Sequence, residues 1–338
     1  MQARLELTRR QILAFRRRVG GLEERLPRSP QSLRRAAWAG LQDSMPRAAL
    51  LSLHARIDGV EPSTWEDPSL VQLWGPRYST YVVPKQDFAL FSLGRLPDDA
   101  KGRERAERNA GLMHAGLAGA RMTDRELARK IGLGNSMRYG ATTGTIAIRW
   151  EGARAPVVWS VPAPKIDPAE ACRELARRYL HVFGLTTATS FGRWAGISRR
   201  SATKAFASLE PELLPVRSPL GDEWLLAADE AAMLSPESEP APARLLPSGD
   251  AYWLLDGAER ELLVPDADRR AQLWTPRVWP GALLVEGEVC GTWRRAQHVV
   301  RIDAWTRLSQ GQRNAVETEA GSLPLPALER TIDVVWEP

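Results

Sequence analysis

Apolar positions near the start of the chain recur at helical intervals. They predict a first helix over 7–20, where Thr8 and Gln11 have the spacing of a capping box. A second helix is predicted over 32–40 and a third after Pro46. The chain therefore begins as a set of short helices.

The next stretches combine helix and strand signals. Asp67 before Pro68 has the form of a helix start, which predicts a short helix to Trp74 and then a strand over 78–83. A second capping box, at Thr123 and Glu126, predicts another helix. Residues 141–150 fit a helix and a strand equally well.

The clearest pattern follows residue 166. Helices are predicted over 168–184, 187–195 and 199–209, and strands over 213–216 and 223–227. Gly196 occupies the short turn between the second and third of these helices. Three helices with a tight second turn, followed by a hairpin, are typical of a winged helix-turn-helix.

A proline- and acid-rich linker, 235–243, separates this unit from a strand-rich end of the chain. Strands are predicted over 282–285, 288–293, 299–305 and 331–336, and a helix near 308–320. The sequence therefore predicts an α+β protein of four units, 1–100, 101–165, 166–234 and 244–338.

Length and composition exclude several classes of protein. A chain of 338 residues with 43% hydrophobic residues can bury a substantial core. Cys172 and Cys290 are too far apart in sequence to indicate a disulfide framework. No signal-like segment and no long apolar run is present, so we expect a cytoplasmic protein without membrane contact.

Charge is distributed unequally along the chain. Residues 1–218 hold 35 Lys and Arg against 21 Asp and Glu, whereas residues 219–338 hold 11 against 20. Since 41 of the basic residues are arginine, planar contacts to phosphate are favoured, although a GC-rich genome also enriches arginine. A basic front part of a soluble chain indicates a polyanionic partner, most simply nucleic acid.

No metal or cofactor is expected. His54, His114, His181 and His298 are scattered, and none has a second ligand at the spacing of a zinc site. Phosphate-binding loops and a nucleophile elbow are also absent from the sequence.

Gln42, Asp43 and Ser44 interrupt an apolar region between two predicted helices. Burying such groups without partners would cost a few kcal/mol. One interpretation is a loop in which Asp43 or Ser44 caps the helix after Pro46. The other is a functional site.

Two basic features are candidates for DNA contact. Arg199, Arg200 and Lys204 lie outside the apolar stripe of helix 199–209, where they would contact phosphates or form a solvated face. Trp293 and Arg294 end a predicted hairpin strand, and such a tip could wedge into a groove or simply be a strand end with extended arginines.

The order of several motifs resembles that of the AlkZ-like (YcaQ-type) DNA glycosylases, a winged-helix DNA-binding family. The segments that carry the resemblance are Leu7-Thr8-Arg9-Arg10-Gln11, Gly40-Leu41-Gln42, Pro46-Arg47-Ala48-Ala49-Leu50, Ala55-Arg56, Leu73-Trp74-Gly75-Pro76-Arg77, Gly192-Arg193-Trp194-Ala195-Gly196-Ile197-Ser198, Leu245-Leu246-Pro247 to Asp250, Val285-Glu286-Gly287 and Gly291-Thr292-Trp293-Arg294.

The resemblance implies tandem winged helices in the first three units, with a C-terminal β-rich element, around a concave DNA channel. It also implies hydrolysis of the N-glycosidic bond of N7-alkylated purines. The family's signature is Gln-x-Gln or Gln-x-Asp, which Gln42 matches at the first position, whereas Ser44 departs from it at the second. Either the site is rewired around Gln42 and Asp43, or catalysis is weakened or lost.

We therefore expect a monomeric DNA-repair glycosylase that acts on double-stranded DNA, nucleoid-associated when bound. Gln42 would position water, Asp43 would activate it or stabilise the sugar cation, and Ser44 would be secondary. The residues expected to contact DNA are Arg47, Arg77, Arg193, Arg199, Arg200, Lys204, Trp293 and Arg294. The alternatives are a non-catalytic duplex-binding protein and, because of the acidic C-terminal third, a protein-interaction scaffold.

Overall fold

The structure is a computed structural model that describes residues 5–45, 47–152, 154–325 and 331–337. Pro46, after which the third helix is predicted, lies outside the described residues. Mixed helices and sheets build the chain, in agreement with the predicted α+β class. Over the described ranges no helix has the length and apolar character needed to cross a membrane.

The elements up to residue 160 alternate short helices and strands. They are β1 (Leu5–Glu6), α1 (Arg9–Val19), α2 (Pro30–Ala36), β2 (Leu41–Gln42), α3 (Ala48–His54), β3 (Leu70–Trp74), β4 (Thr80–Pro84), α4 (Phe88–Leu93), α5 (Ala100–Leu117), β5 (Met122–Thr123), α6 (Asp124–Ile131), β6 (Ile146–Arg149) and β7 (Val157–Ser160). One six-stranded sheet, in the order β2-β4-β3-β6-β7-β5, combines strands from both sides of residue 100.

The region after residue 166 contains the predicted three helices and hairpin. Its elements are α7 (Pro168–Phe183), α8 (Ala188–Ala195), α9 (Arg199–Ser208), β8 (Leu213–Ser218), β9 (Gly221–Leu226) and α10 (Glu230–Leu234). The hairpin forms a three-stranded sheet in the order β1-β8-β9, in which Leu5 pairs with Val216. The start of the chain is therefore joined to this region.

A five-stranded sheet in the order β10-β11-β12-β13-β14 forms the C-terminal region. Its elements are β10 (Ala243–Leu246), α11 (Glu259–Leu263), α12 (Ala267–Leu273), β11 (Gly281–Val285), β12 (Glu288–Ala296), β13 (Val299–Ala304), α13 (Gln310–Gly321) and β14 (Asp333–Trp336). The four predicted strands and α13 are confirmed, whereas β10, α11 and α12 were not predicted. The division of the chain into four units stays a prediction.

The short helix predicted from Asp67 to Trp74 is wrong, because residues 70–74 form β3. The Asp67 carboxylate accepts hydrogen bonds from Ser69 N at 2.9 Å and Ser69 Oγ at 2.6 Å, which closes a turn instead of capping a helix. The ambiguous stretch 141–150 divides into the end of a 3-10 helix, Gly134–Thr143, and the strand β6.

A buried ion pair ties the C-terminal region to α3. Arg56 donates to both carboxylate oxygens of Asp250 at 2.7 Å, and Ser52 Oγ donates to the same carboxylate at 2.7 Å. Arg56 is 2% and Asp250 1% exposed. This pair holds the segment after β10 against the beginning of the chain, where the candidate site lies.

Candidate active site and DNA-contacting surface

Gln42 lies on the edge strand of the six-stranded sheet, since β2 pairs only with β4 and places Gln42 opposite Tyr81. Its Nε2 donates to Ser44 Oγ at 2.5 Å. Its Oε1 accepts a hydrogen bond from Arg77 Nη2 at 3.1 Å, and the Tyr81 hydroxyl lies 3.5 Å away. Three of the predicted site residues therefore meet in one hydrogen-bonded group.

The C-terminal region contributes a wall of this site. Gly249 has φ +77°, and a Cβ atom there would lie 3.0 Å from both Cδ and Nε2 of Gln42. Such close approach requires glycine, because any side chain would push Gln42 away. Asp250, held by Arg56, is the next residue, so the buried ion pair determines where this backbone lies.

A pocket of about 350 Å³ opens beside the site. Met45 follows Ser44 and Ser248 precedes Gly249, and both line the pocket. Trp293 and Arg294 of β12 also line it. The pocket therefore continues the surface that carries Gln42 and Ser44.

Asp43 faces the protein interior and is 3% exposed. Its Oδ1 accepts a hydrogen bond from Ala49 N at 3.0 Å, and its Oδ2 accepts one from Gln72 Nε2 at 2.8 Å. The first contact confirms the interpretation that Asp43 caps the helix α3. The two contacts turn the carboxylate away from Gln42 and Ser44, and its role in activating water stays a prediction.

Gln72 is the partner that the sequence did not indicate. Although it lies in β3 and is 2% exposed, each of its amide atoms is bonded. Besides donating to Asp43, Nε2 donates to Trp150 O at 3.2 Å, and Oε1 accepts from Trp150 N at 2.7 Å. A polar residue between Val71 and Leu73 in a predicted helix gave no reason to expect a partner 78 residues away.

Burial raises the pKa of the Asp43 carboxyl to about 6, although its hydrogen bonds oppose this change. Arg47 and Arg149 also lower the pKa by their charges. Both guanidinium groups stack on the buried Trp65 ring, with Cζ at 3.7 Å and 3.6 Å from the ring centroid. Arg47, predicted to contact DNA, is thus anchored beside Asp43 and only half-exposed.

Replacing Asp43 by Asn is expected to remove a pH dependence of stability. Because the folded-state pKa, about 6, is above the ordinary aspartate pKa of 3.8, the folded protein retains this proton where the unfolded chain has lost it. Wild-type stability therefore falls as the pH rises through that window, by about 3 kcal/mol for this group. Urea unfolding of both proteins across the window measures it; a constant difference in unfolding free energy would contradict the expectation.

The turn that carries Arg77 has an unusual backbone. Arg77 and Tyr78 are consecutive residues with φ +53° and +58°, in the left-handed region that non-glycine residues avoid at a cost of about 1 kcal/mol or more each. Gly75 begins the turn, and a Cβ there would lie 2.9 Å from the Tyr81 ring. The strain is located where Arg77 reaches Gln42.

The basic residues of α8 and α9 lie on the surface. Arg199, Arg200 and Lys204 are exposed on α9, although Arg200 Nε lies 4.0 Å from the Asp98 carboxylate. Arg193 on α8 is exposed and lies 3.4 Å from Asp256. Their exposure fits the predicted contact with phosphates.

Trp293 lies inside β12 and is 5% exposed. Its Nε1 donates to Leu246 O at 2.9 Å, and the ring packs over Gly281, where a Cβ would lie 2.1 Å from Nε1. The ring is therefore held within the sheet and does not project as a wedge, and the contact of Trp293 with DNA stays a prediction. The side chain of Arg294, the next residue, lies on the opposite face of the sheet and is exposed.

Comparison with known proteins identifies the family. The profile of the AlkZ-like DNA glycosylases matches residues 35–324, so the chain belongs to this family. It is therefore a DNA N-glycosylase, a hydrolase of N-glycosyl bonds that serves DNA repair. No curated protein sequence matches the chain.

Solved structures add the fold. The chain is similar to the Streptomyces sahachiroi DNA glycosylase AlkZ, with a TM-score of 0.78 and 18% sequence identity over 98% of this chain and 100% of that one. At this identity the likeness shows the fold, and it extends over the whole length of both chains.

Proposed function

We propose that this protein releases N7-alkylated purines from double-stranded DNA, with Gln42 and Ser44 holding the attacking water. The observation that carries the proposal is the hydrogen-bonded group of Gln42, Ser44 and Arg77 on the surface beside an open pocket. A purine alkylated at N7 is already cationic and leaves without a proton donor. The protein therefore has to position water and to tolerate an oxocarbenium-like sugar.

The hydrogen bonds around Ser44 indicate how water would be held. Since Gln42 Nε2 donates to Ser44 Oγ, the hydroxyl hydrogen of Ser44 is directed elsewhere and one oxygen lone pair stays available. Gln42 Oε1 likewise accepts from Arg77 at 3.1 Å, and its second lone pair is engaged only by the long contact from the Tyr81 hydroxyl at 3.5 Å, which a water molecule could displace. Two neutral acceptors side by side can orient the hydrogens of a water molecule.

Asp43 would support this site from the protein interior. Its carboxylate supports α3 and the strand β3, so we propose that it keeps Gln42 and Ser44 in place without touching the substrate. A carboxylate that is turned inward is compatible with a cationic leaving group, for which little base assistance is needed.

DNA would be held by exposed arginine and lysine side chains, most of which lie on α8 and α9. We propose that phosphates are contacted by Arg77, Arg193, Arg199, Arg200 and Lys204, and by Arg294 at the pocket. Tandem winged helices lining a concave channel, and a single protomer on each duplex, complete the proposal. Exposed arginine and lysine side chains without base-specific geometry position DNA and do not select a sequence.

The test is incubation of the protein with a duplex that carries one N7-methylguanine. Free 7-methylguanine should be detected by mass spectrometry, and alkali should then cut the strand at the abasic site. The unmodified duplex and the modified single strand are the controls. Release from neither form would contradict the proposed substrate, and faster release from the single strand would contradict duplex specificity.

Affinity for the unmodified duplex, measured in parallel over a series of salt concentrations, tests the DNA-binding surface. Each phosphate contact should contribute about 0.9 to the slope of log affinity against log salt. A slope near zero would contradict the proposed contacts.

A further inference from the structure

Arg95 is a buried cation that connects two regions of the chain. It follows α4 and is 1% exposed. Its Nε donates to Ala195 O at 2.8 Å, and its Nη1 donates to Trp74 O at 2.9 Å. No acidic side chain of the described residues pairs with it, and its Nη2 has no hydrogen-bond partner among them. Burial lowers the pKa of Arg95 to about 10, so it is still charged at neutral pH.

The two carbonyl groups belong to the ends of functionally important elements. Ala195 is the last residue of α8, and Gly196 after it begins the turn to α9, which carries Arg199 and Lys204. Trp74 is the last residue of β3, and the strained turn 75–79 starts directly after it. Arg95 therefore joins the helix-turn-helix to the turn beside Gln42.

The guanidinium group of Arg95 also contacts an aromatic ring of the strained turn. Its Cζ lies 4.8 Å from the centroid of the Tyr78 ring. Tyr78 is the second of the two left-handed residues, and Arg77, the first, donates to Gln42. The same cation thus holds both the start of the turn, through Trp74, and its middle, through Tyr78.

Direct packing reinforces this connection. A Cβ at Gly196 would lie 3.1 Å from Arg77 N, so the turn before α9 touches the backbone of the strained turn with no side chain between them. A displacement of α8 and α9 on binding DNA would therefore reach Arg77 through this contact and through Arg95.

A purely structural role would be served at lower cost by a neutral group. Burying a charge without a counterion is expensive, and it is retained in proteins mostly where geometry matters. Here the arginine supplies two directed donors to two carbonyl groups and a ring contact, which no smaller side chain provides.

We propose that Arg95 is a positioning residue through which the DNA-contacting helix-turn-helix sets the Arg77 turn, and with it Gln42, in the orientation needed for glycosidic bond cleavage. The catalytic part of this inference rests on the proposed function. The mechanical part, the dependence of the turn on Arg95, does not.

The kinetic test compares Arg95→Met and Arg95→Lys with wild type. Single-turnover release of 7-methylguanine at saturating enzyme should slow about tenfold in the Met variant, because a misplaced reacting group lowers the rate steeply. The Lys variant keeps the charge but reaches only one carbonyl, so its rate should be intermediate. Duplex affinity should change less than about threefold, since no phosphate contact is removed.

Arg178→Met is the matched control. Arg178 is also buried, at 4% exposure, but it is paired with Asp87 and does not contact the turn. Its loss should lower the melting temperature without changing the single-turnover rate of the folded protein. Equal slowing in the Arg178 and Arg95 variants would overturn the proposal and leave Arg95 a structural residue.

Hydrogen exchange of the amides of Gly75, Tyr78 and Ser79 tests the connection without turnover. These three amides are bonded inside the turn, as in Tyr78 N to Gly75 O at 2.9 Å. Duplex binding should slow their exchange in wild type. The Met variant should lose most of this slowing, and the Lys variant, which reaches only one carbonyl, should lose part of it. If exchange in both Arg95 variants is the same as in wild type, the proposal for Arg95 is overturned. If instead no 7-methylguanine is released, only the proposed function is overturned, and the exchange experiment still tests the role of Arg95.

Discussion

Replacing Gln42 by Ala should slow the release of an N7-alkylated purine from duplex DNA by about a hundred- to a thousandfold, the usual cost of losing one preorganised polar group of an active site. The amide is bonded on both sides, to Ser44 and to Arg77. Its loss removes one acceptor for water and leaves the other, Ser44 Oγ, without the donor that orients it.

Single-turnover kinetics with a duplex carrying one N7-methylguanine measures this effect. Affinity for the same duplex should stay within about threefold of wild type, because Gln42 contributes no charge to phosphate binding. Gln31→Ala, at an exposed glutamine of α2, is the matched control and should react at the wild-type rate. A Gln42→Ala protein that retains most of its rate would show that water is held elsewhere.

Ser44 should contribute less. Ser44→Ala removes a single hydroxyl and leaves Gln42 bonded to Arg77, so the rate should fall more modestly than for Gln42→Ala. The reverse order would place the principal water ligand at Ser44.

Asp250→Asn should be the most destabilising single change near the site, by about 3–5 kcal/mol. It leaves the Arg56 guanidinium buried without its counterion, 2% exposed and surrounded by protein. Burial by itself raises the pKa of Asp250, but Arg56 and the hydrogen bonds outweigh burial and lower it. This pair is therefore intact at neutral pH, and its contribution is lost only as the pH falls through the lowered pKa.

Denaturant unfolding at neutral pH measures the loss. Arg217→Met is a suitable control, because Arg217 forms an exposed ion pair with Asp222 at 3.4 Å. Such surface pairs contribute about 0–1 kcal/mol. Comparable unfolding free energies for the two variants would mean that the buried pair does not hold the C-terminal region in place.

Asp250→Asn should also change the geometry of the candidate site. Gly249 presses its backbone against Gln42, and Asp250 is the residue that anchors this segment to α3. The folded fraction of Asp250→Asn should therefore also show a lower rate, whereas Arg217→Met should not.

Helix caps could be predicted from the sequence, because the side chain and the backbone amide that it bonds lie within one helical turn of each other. The capping boxes at Thr8 and Thr123 are present as predicted, because each side chain bonds a backbone amide three residues away. The short turn between α8 and α9 was also predicted from the sequence, because its glycine, Gly196, adopts the positive φ of +71° that favours this residue.

Even local signals failed where two structures share the same chemistry. Asp67 bonds Ser69 in a turn with the same acceptor that would cap a helix, and only the pairing of β3 with β4 and β6 decides between the two. The family resemblance assigned Gln42 to the first motif position, which stays a prediction, and left the direction of Asp43 open.

The sequence by itself determined the capped helix starts at Thr8 and Thr123, the three-helix and hairpin pattern after residue 166, the basic character of α9 and the membership of the family. The tertiary structure alone decided that Asp43 points inward to Gln72, that Trp293 is buried, and that Arg95 links Ala195 to Trp74. Those outcomes depend on partners 29, 47, 100 and 21 residues away. Which face of a strand is covered, and by what, is decided by the elements that pack on it and not by the residues that form it.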